Sequence, residues 1–531
     1  MAHVLPEWLE TAVVYEIYPQ SFYDSNGDGI GDLPGIAAKL DYVSSLGCDA
    51  VWLNPCFVSP FQDAGYDVAD YYKVAPRYGT NADMKRLLRE AGRRGIRVML
   101  DLVPGHTSIE HPWFRESCRP EKNKYTNWYI WTDSVWNQDV PGHRTVSGYC
   151  NRDGCYVTNF FHFQPALNYG FARPDPGQPW QLPVDHPDCA AVREEMKNVM
   201  RFWLDMGASG FRVDMAGSLI KGDRRHRETR KLWDEVRDML DTGYPDAVLV
   251  SEWGDPVTAL RVGFHMDFLL PWMGPAPYAA YRSLWRSGPQ DSYFSRVGAG
   301  DITAFTDYYP KALAATRRYG YICIPSGNHD ISRMAEGRTR RELKVAFAFL
   351  LTLPGVPYIY YGDEIGMACP RRLVSREGGY NRTSYRTPMQ WTRGRNAGFS
   401  TAPEGKLYLP VDARRTRPSV ESQDADRRSL LNCVRDLLRL RRSHAALCAR
   451  GDFVPLYAKK RTYPFVYLRR RAGRRVLVAV NPSGRDVSAA FPAAGLSLPG
   501  EPLMVNGTSL LAERGRAQVK MKGVSFGIFK V

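Results

Sequence analysis

Through the first 450 residues, short β-branched runs alternate with amphipathic helical stretches, and this alternation constrains the fold more than any other feature. Strand-like runs fall at residues 13–18, 50–54, 97–103, 210–214, 247–252, 266–270, 321–325 and 356–361. Helical periodicity separates most of them, as at 36–45, 81–92, 192–206 and 228–240. A helix between two strands returns the chain to its starting edge, so the strands pair in parallel. Eight such units predict an α/β protein whose sheet closes into a (β/α)8 TIM barrel.

Two stretches break the pattern. Residues 106–170, after the third strand, are rich in aromatics, Gly, Pro and Asn and predict an inserted, loop-rich domain. Beyond residue 449 the period shortens to two at 465–468, 476–480 and 524–529, which predicts a closing antiparallel β domain. The expected division is barrel 1–105, insertion 106–170, barrel 171–449 and β domain 450–531.

Composition excludes several classes. With 44% hydrophobic and 24% charged residues the chain is globular, neither disordered nor fibrous. Its longest apolar stretch, 345–361, is broken by Pro354, Gly355 and Pro357, so no membrane span is expected. The first residues show no basic segment followed by an apolar one, and the expected location is the cytoplasm. Lys and Arg exceed Asp and Glu by 71 − 56 = 15, but the clusters at 439–442 and 469–475 accompany no nucleic-acid module. The excess charge is therefore read as a solvated basic surface, with no nucleic-acid partner. The ten cysteines lack metal-ligand spacing; Cys150 and Cys155 flank a short loop and are read as thiols.

In a barrel of this kind, chemistry sits at the C-terminal ends of the strands. Asp101, Asp214, Glu252 and Asp330 all fall there, with His106 and His329 beside them. Arg212 and Asp214 are two residues apart and so share a face, where the guanidinium should lower the carboxyl pKa. Glu252, crowded by other carboxylates, should have its pKa raised, as a general acid requires. One ionised and one protonated carboxyl flanking a bond is the arrangement for glycosidic cleavage. A buried ion-pair network is the competing reading.

These segments also carry a resemblance. Asp101-Leu-Val-Pro-Gly-His-Thr-Ser, Gly210-Phe-Arg-Val-Asp, Ser251-Glu-Trp and Gly327-Asn-His-Asp resemble, in order and spacing, the signature blocks of glycoside hydrolase family 13. Tyr15-Glu-Ile-Tyr-Pro-Gln-Ser-Phe, Tyr361-Gly-Asp-Glu-Ile-Gly and Arg386-Thr-Pro-Met-Gln-Trp are most similar to its oligo-1,6-glucosidase and α-glucosidase branch. The resemblance implies Asp214 as nucleophile, Glu252 as acid/base and Asp330 as holder of sugar hydroxyls. It further implies that Arg212, His106 and His329 contact the sugar, that Asp63 and Tyr66 close its non-reducing side, and that Arg386 and Phe160 line the subsites. An Asp63 and Arg386 pair at a blind end points to exo action. Three positions depart from the family pattern: Gly105 replaces a usual Asn, Ala166 a usual Asp, and Met215 a smaller residue after the nucleophile.

A separate loop, Asp24-Ser-Asn-Gly-Asp-Gly-Ile-Gly-Asp, alternates oxygen ligands at Asp24, Asn26, Asp28 and Asp32, with the Ile30 carbonyl between. Hard oxygens so spaced fit Ca²⁺, although the EF-hand's closing Glu is absent at Gly35. The resembling family carries a structural Ca²⁺ there.

The expected function is a retaining, exo-acting α-glucosidase hydrolysing short α-glucosides. The alternative is a transglycosylase or isomerase of the trehalose- or sucrose-rearranging type, which shares every catalytic residue and differs in how water is kept from the glucosyl-enzyme. A non-catalytic binding relative would tend to lose the three acids present here. The sequence carries no reading of oligomeric state.

Overall fold

The eight expected strands are present and close on themselves: β1 (Val14–Ile17), β2 (Ala50–Leu53), β3 (Arg97–Leu102), β4 (Gly210–Val213), β5 (Val248–Ser251), β6 (Met266–Phe268), β7 (Tyr321–Pro325) and β8 (Val356–Tyr360). Every strand pairs in parallel with its neighbours, and β1 pairs with both β2 and β8, so no edge is left open. The computed structural model describes residues 4–140, 142–271, 274–286, 292–513 and 515–531.

The alternation of side chains along these strands builds the functional end directly. Val14, Ala50, Met99, Val248, Met266 and Tyr358 point inward and fill the barrel interior with apolar volume. Two residues further along the same strands, the same inward face carries Glu16, Trp52 and Asp101. Arg212 and, just past the strand ends, Asp214 and Glu252 continue that polar layer. The barrel thus has a dry floor and a charged mouth.

β4 needs a glycine at its start. Gly210 has φ +136°, and a Cβ there would lie 2.1 Å from the Val248 carbonyl oxygen of β5. Its small size lets β4 approach β5 closely enough to place Arg212 opposite Val250.

Some elements differ from expectation. The helix expected at 36–45 is two helices, Leu33–Ala38 and Leu40–Leu46, meeting at Lys39. Asp32 caps the first by accepting from the Gly35 amide, with Pro34 in the first turn, so helix formation begins before the apolar periodicity does. The apolar stretch 345–361 is divided between the buried helix Arg340–Thr352 and β8. Between β3 and β4 lie a short helix, Pro112–Ser117, and an antiparallel hairpin of Arg144–Ser147 with Cys155–Thr158. Within it, Cys155 donates to the Val135 carbonyl at 3.4 Å, while Cys150 at the hairpin's tip neighbours Cys118 at the end of the short helix.

The C-terminal sheet is antiparallel and has six strands, three more than the sequence marks. Its core pairs Phe465–Arg471, Arg474–Asn481 and Arg516–Lys530. Asp452–Tyr457, Val487–Pro492 and Glu501–Glu513 join at its flanks, where half-exposed faces and Pro455 and Pro502 weaken the apolar alternation. Two buried arginines converge on the segment before β8, Arg441 from the helix Leu430–Ser443 and Arg469 from the sheet, so that Arg469 ties the sheet to the barrel. Arg441 donates to the carbonyls of Leu351, Leu353 and Gly355, and Arg469 to those of Thr352 and Cys448. Among the described residues, no helix is long and apolar enough to cross a membrane.

Gly210→Ala should destabilise the fold by more than about 2 kcal/mol, since both the positive φ and the β5 backbone oppose a side chain. A chemical-denaturation midpoint equal to that of the unaltered chain would show that β4 does not depend on this contact.

Candidate active site

The mouth of the barrel is organised around one guanidinium. Arg212 Nη1 donates to Asp101 Oδ1 at 2.9 Å and to Asp214 Oδ1 at 2.8 Å, and Nη2 lies 2.9 Å from Glu252 Oε2. The Met215 amide donates to Glu252 Oε2 at 3.1 Å. Behind Glu252, the buried Asp267 accepts from Ser251 Oγ at 2.6 Å and from the Trp253 amide at 3.1 Å, which fixes the backbone on both sides of the acid.

Burial decides the protonation here. It raises Asp214 to about 6 against the pull of Arg212, so the lowering expected from that neighbour is outweighed. Burial also raises Glu252, with Asp214 and Asp330 adding to it against Arg212, to about 7. Near neutral pH this favours an ionised Asp214 beside a Glu252 that still holds much of its proton.

Across the mouth, Asp330 has the opposite environment. Burial would raise its pKa, but His329, Arg382 and Arg386 hold the carboxyl well below the ordinary value. Arg382 Nη1 reaches Asp330 Oδ1 at 2.7 Å and Arg386 Nη2 reaches it at 2.9 Å. His329 Nε2 lies 3.1 Å from Asp330 Oδ2, and its Nδ1 lies 2.8 Å from Glu16 Oε1 on β1. Burial alone would keep this imidazole neutral, yet Asp330 and Glu16 together raise it to about 9. Tyr66 stacks on the His329 ring at 5.4 Å and donates its hydroxyl hydrogen to Asp101 Oδ2 at 3.0 Å.

The blind end is closed by a different arginine from the one expected. Asp63 Oδ1 accepts from Arg382 Nη2 at 2.6 Å, while Asp63 Oδ2 accepts from Gln164 Nε2 at 2.9 Å. Arg386 lies deeper, fully buried, donating to the His329 carbonyl at 2.9 Å and to Glu377 as well as Asp330. Arg382 therefore bridges Asp63 and Asp330, and Arg386 supports it from behind. The sequence signal for Arg382 was its place four residues before the Arg386 motif, in a loop without periodicity.

The remaining predicted positions line or support the same cavity. His106 donates from Nε2 to the Tyr66 carbonyl at 3.1 Å and accepts at Nδ1 from Asn159 at 3.1 Å; burial keeps it neutral, near 3. A Cβ on Gly105 would lie 2.6 Å from that same Asn159 amide, so Asn159 fills the space that the missing Asn side chain leaves. Phe160 stands 41% exposed at the rim. Together with Trp253, His226 and Tyr380, these groups surround a cavity of about 730 Å³ that contains Asp63, Tyr66, Asp214, Glu252 and Asp330. Met215, with φ +44°, lies against it beside the nucleophile position.

The loop expected to hold a cation is a separate feature. Asp24 Oδ1 accepts from the Asn26 and Gly27 amides and Oδ2 from Gly29, while Asp28 Oδ1 accepts from the Ile30 amide. Asp32 accepts from Ser25 and Gly35; burial raises its pKa, and Asp24 adds to the rise. Among the described residues no three Asp, Glu, His or Cys side chains are grouped as a metal cluster, so any cation here would draw on Asn26 and the Ile30 carbonyl too.

Glu16→Gln should lower the His329 pKa from about 9, because one of the two anions facing the ring is removed. Ring-nitrogen NMR of the variant reads this directly, and an unchanged titration would assign the shift to Asp330 alone.

The profile of the "Alpha amylase, catalytic domain" family matches residues 16–450. A trehalose synthase/amylase of Mycolicibacterium smegmatis is 35% identical over 509 residues, covering 85% of this chain and 79% of that protein. An oligo-1,6-glucosidase of Heyndrickxia coagulans is 30% identical, covering 91% and 94%. The crystal structure of a trehalulose synthase from Pseudomonas mesoacidophila superposes with a TM-score of 0.78 at 27% identity, covering 98% of this chain and 99% of that one. With its barrel, its carboxylates at the strand ends and these matches, the chain belongs to the α-amylase family, glycoside hydrolase family 13, whose members act on α-glucosides.

Proposed function

We propose that the chain cleaves short α-glucosides with retention and passes the glucosyl group chiefly to a sugar hydroxyl held in the same cavity, acting as a disaccharide-rearranging transglycosylase. The observation that supports a retaining mechanism is that one guanidinium holds both acids, Arg212 Nη1 at 2.8 Å from Asp214 Oδ1 and Nη2 at 2.9 Å from Glu252 Oε2. Inversion needs carboxyls about 6.5–9.5 Å apart with a water between them, whereas sharing one guanidinium draws these two acids together, as direct attack by Asp214 requires.

In this reading the terminal glucose seats against Asp63 and Arg382, with Tyr66 against its ring. The Asp214 carboxylate attacks the anomeric carbon while Glu252 gives its proton to the glycosidic oxygen, and the carbon–oxygen bond breaks. The β-glucosyl ester on Asp214 is then displaced by an acceptor hydroxyl, whose proton returns to Glu252. Asp330, permanently ionised, accepts hydrogen bonds from sugar hydroxyls. Asp101 keeps Arg212 and Tyr66 in place.

The preference for transfer rests on the relatives: trehalose synthase/amylase at 35% identity and the likeness to a trehalulose synthase. Hydrolysis is the second reading, supported by the oligo-1,6-glucosidase, which this chain matches over 94% of that protein. Both use the same three acids and differ only in the acceptor. The α-glucosidase expected from sequence is therefore this second branch.

We further propose that Asp24, Asn26, Asp28, the Ile30 carbonyl and Asp32 hold a Ca²⁺ that stabilises the loop without entering the reaction. The donor set consists entirely of hard oxygens, and a cation would offset the crowding of the buried Asp24 and Asp32 carboxyls.

Incubation with maltose, isomaltose, trehalose and sucrose should give new disaccharides in excess over free glucose, and Asp214→Asn should cut turnover by about 10³-fold or more. Free glucose as the dominant product would shift the assignment to α-glucosidase. The pH profile of kcat/KM should be a narrow bell, rising as Asp214 ionises near 6 and falling as Glu252 loses its proton near 7, both limbs belonging to the coupled pair. A plateau running far into alkaline pH would contradict the acid role of Glu252. Chelation should lower the Tm and leave kcat at moderate temperature unchanged; an unchanged Tm would remove the cation from the account.

A further inference from the structure

A second cavity, of about 310 Å³, opens at the opposite end of the barrel, between the helix Thr303–Thr316, the starts of β7 and β8, and the first strand of the C-terminal sheet. The five-residue strands β7 and β8 separate it from the catalytic carboxylates, a distance of about 15 Å. The reaction described above uses none of it.

Its chemistry is amphipathic. Leu313, Ile322, Pro354 and Phe453 form apolar walls. Three guanidinium-bearing residues line it, Arg317, Arg450 and Arg470, against one acid, Asp452, the only acidic side chain lining it among the described residues. Arg470 Nε lies 3.0 Å from Asp452 Oδ2, and Arg317 Nη1 lies 3.6 Å from Oδ1, so a single carboxylate serves two cations. Arg450 has no share in it; its Nε donates to the Tyr321 hydroxyl at 2.8 Å.

The ground beneath the cavity is positive as well. Arg441 and Arg469, both fully buried, direct their donors onto carbonyl oxygens, including those of Gly355 and Gly451 in the cavity wall. Carbonyls satisfy the hydrogen bonds without cancelling the charge. Burial accordingly lowers Arg441 to about 10, and burial together with Arg441 lowers Arg469 to about 9. The nearby acids Glu10 and Asp49 are engaged by Arg471 and Arg442. Capping the end of the helix Arg340–Thr352 accounts for the two buried arginines, but it leaves the three around the opening unexplained.

We propose that this cavity is a second ligand site that takes a phosphate monoester carried on a small ring, the ring against the apolar walls and the phosphate between Arg317, Arg450 and Arg470. Its volume falls at the lower end of the small-molecule range. Guanidinium groups converging on one opening are suited to a phosphate dianion, which offers oxygens to several of them at once.

Calorimetry on the full chain tests this with a glucose phosphate, adenosine monophosphate, inorganic phosphate and glucose as probes. One of the two ring phosphates should bind saturably, about tenfold or more tighter than inorganic phosphate or glucose, and the tighter one identifies the ring. Arg317→Ala and Arg450→Ala should each weaken it about tenfold, with α-glucoside turnover and Tm retained. Binding unchanged in these variants would place the ligand in the catalytic cavity and overturn the proposal. So would inorganic phosphate binding as tightly as the ring phosphates, or no saturable binding by any probe.

Discussion

Everything at the mouth of this barrel depends on the Arg212 guanidinium. It is nearly inaccessible to solvent and holds Asp101, Asp214 and Glu252 at hydrogen-bonding distance. Without it, three carboxylates would share a buried space with only the His329 ring as a nearby cation, a cost that shifts in protonation would have to absorb. The barrel supplies what this ion cluster needs. Its apolar floor excludes water from below, and its closed strand order fixes the spacing of the strand ends from which the acids project.

Two aspartates in the same cavity show how environment separates roles. Asp214 shares one guanidinium with two other acids, and burial leaves it raised to about 6. Asp330 faces three cations, His329, Arg382 and Arg386, and its carboxyl stays far below the ordinary value. In the proposed reaction Asp214 becomes neutral as it forms a covalent ester, and its surroundings make that neutrality cost little. A residue that only receives hydrogen bonds is placed where it stays anionic. Glu252, near 7, sits between them and can both give and take a proton.

Most of the barrel was legible because strand runs, helical runs and their order are properties of local sequence. The acids were legible because they fall at strand ends, where a barrel gathers its functional groups. What the sequence could not show were relations across loops. Arg382 sits in the irregular segment after β8, and only the folded chain brings it to Asp63. Gly105 reads as a missing Asn, yet Asn159 from the insertion occupies the space. The early start of the first helix follows from Asp32, whose side chain was assigned to the cation loop and also caps that helix. The Asp214 pKa lies above the sequence expectation because pairing with Arg212 is visible in sequence and depth of burial is not.

The central claim is that Asp214 carries the glucosyl group. The most direct measurement is mass spectrometry of the enzyme quenched after reaction with a fluorinated glucosyl fluoride, which slows release of the intermediate. The account predicts one added fluoroglucosyl unit on the peptide containing Asp214 and none in the Asp214→Asn variant. Turnover of the reagent with no covalent adduct, or an adduct on any other residue, would contradict it.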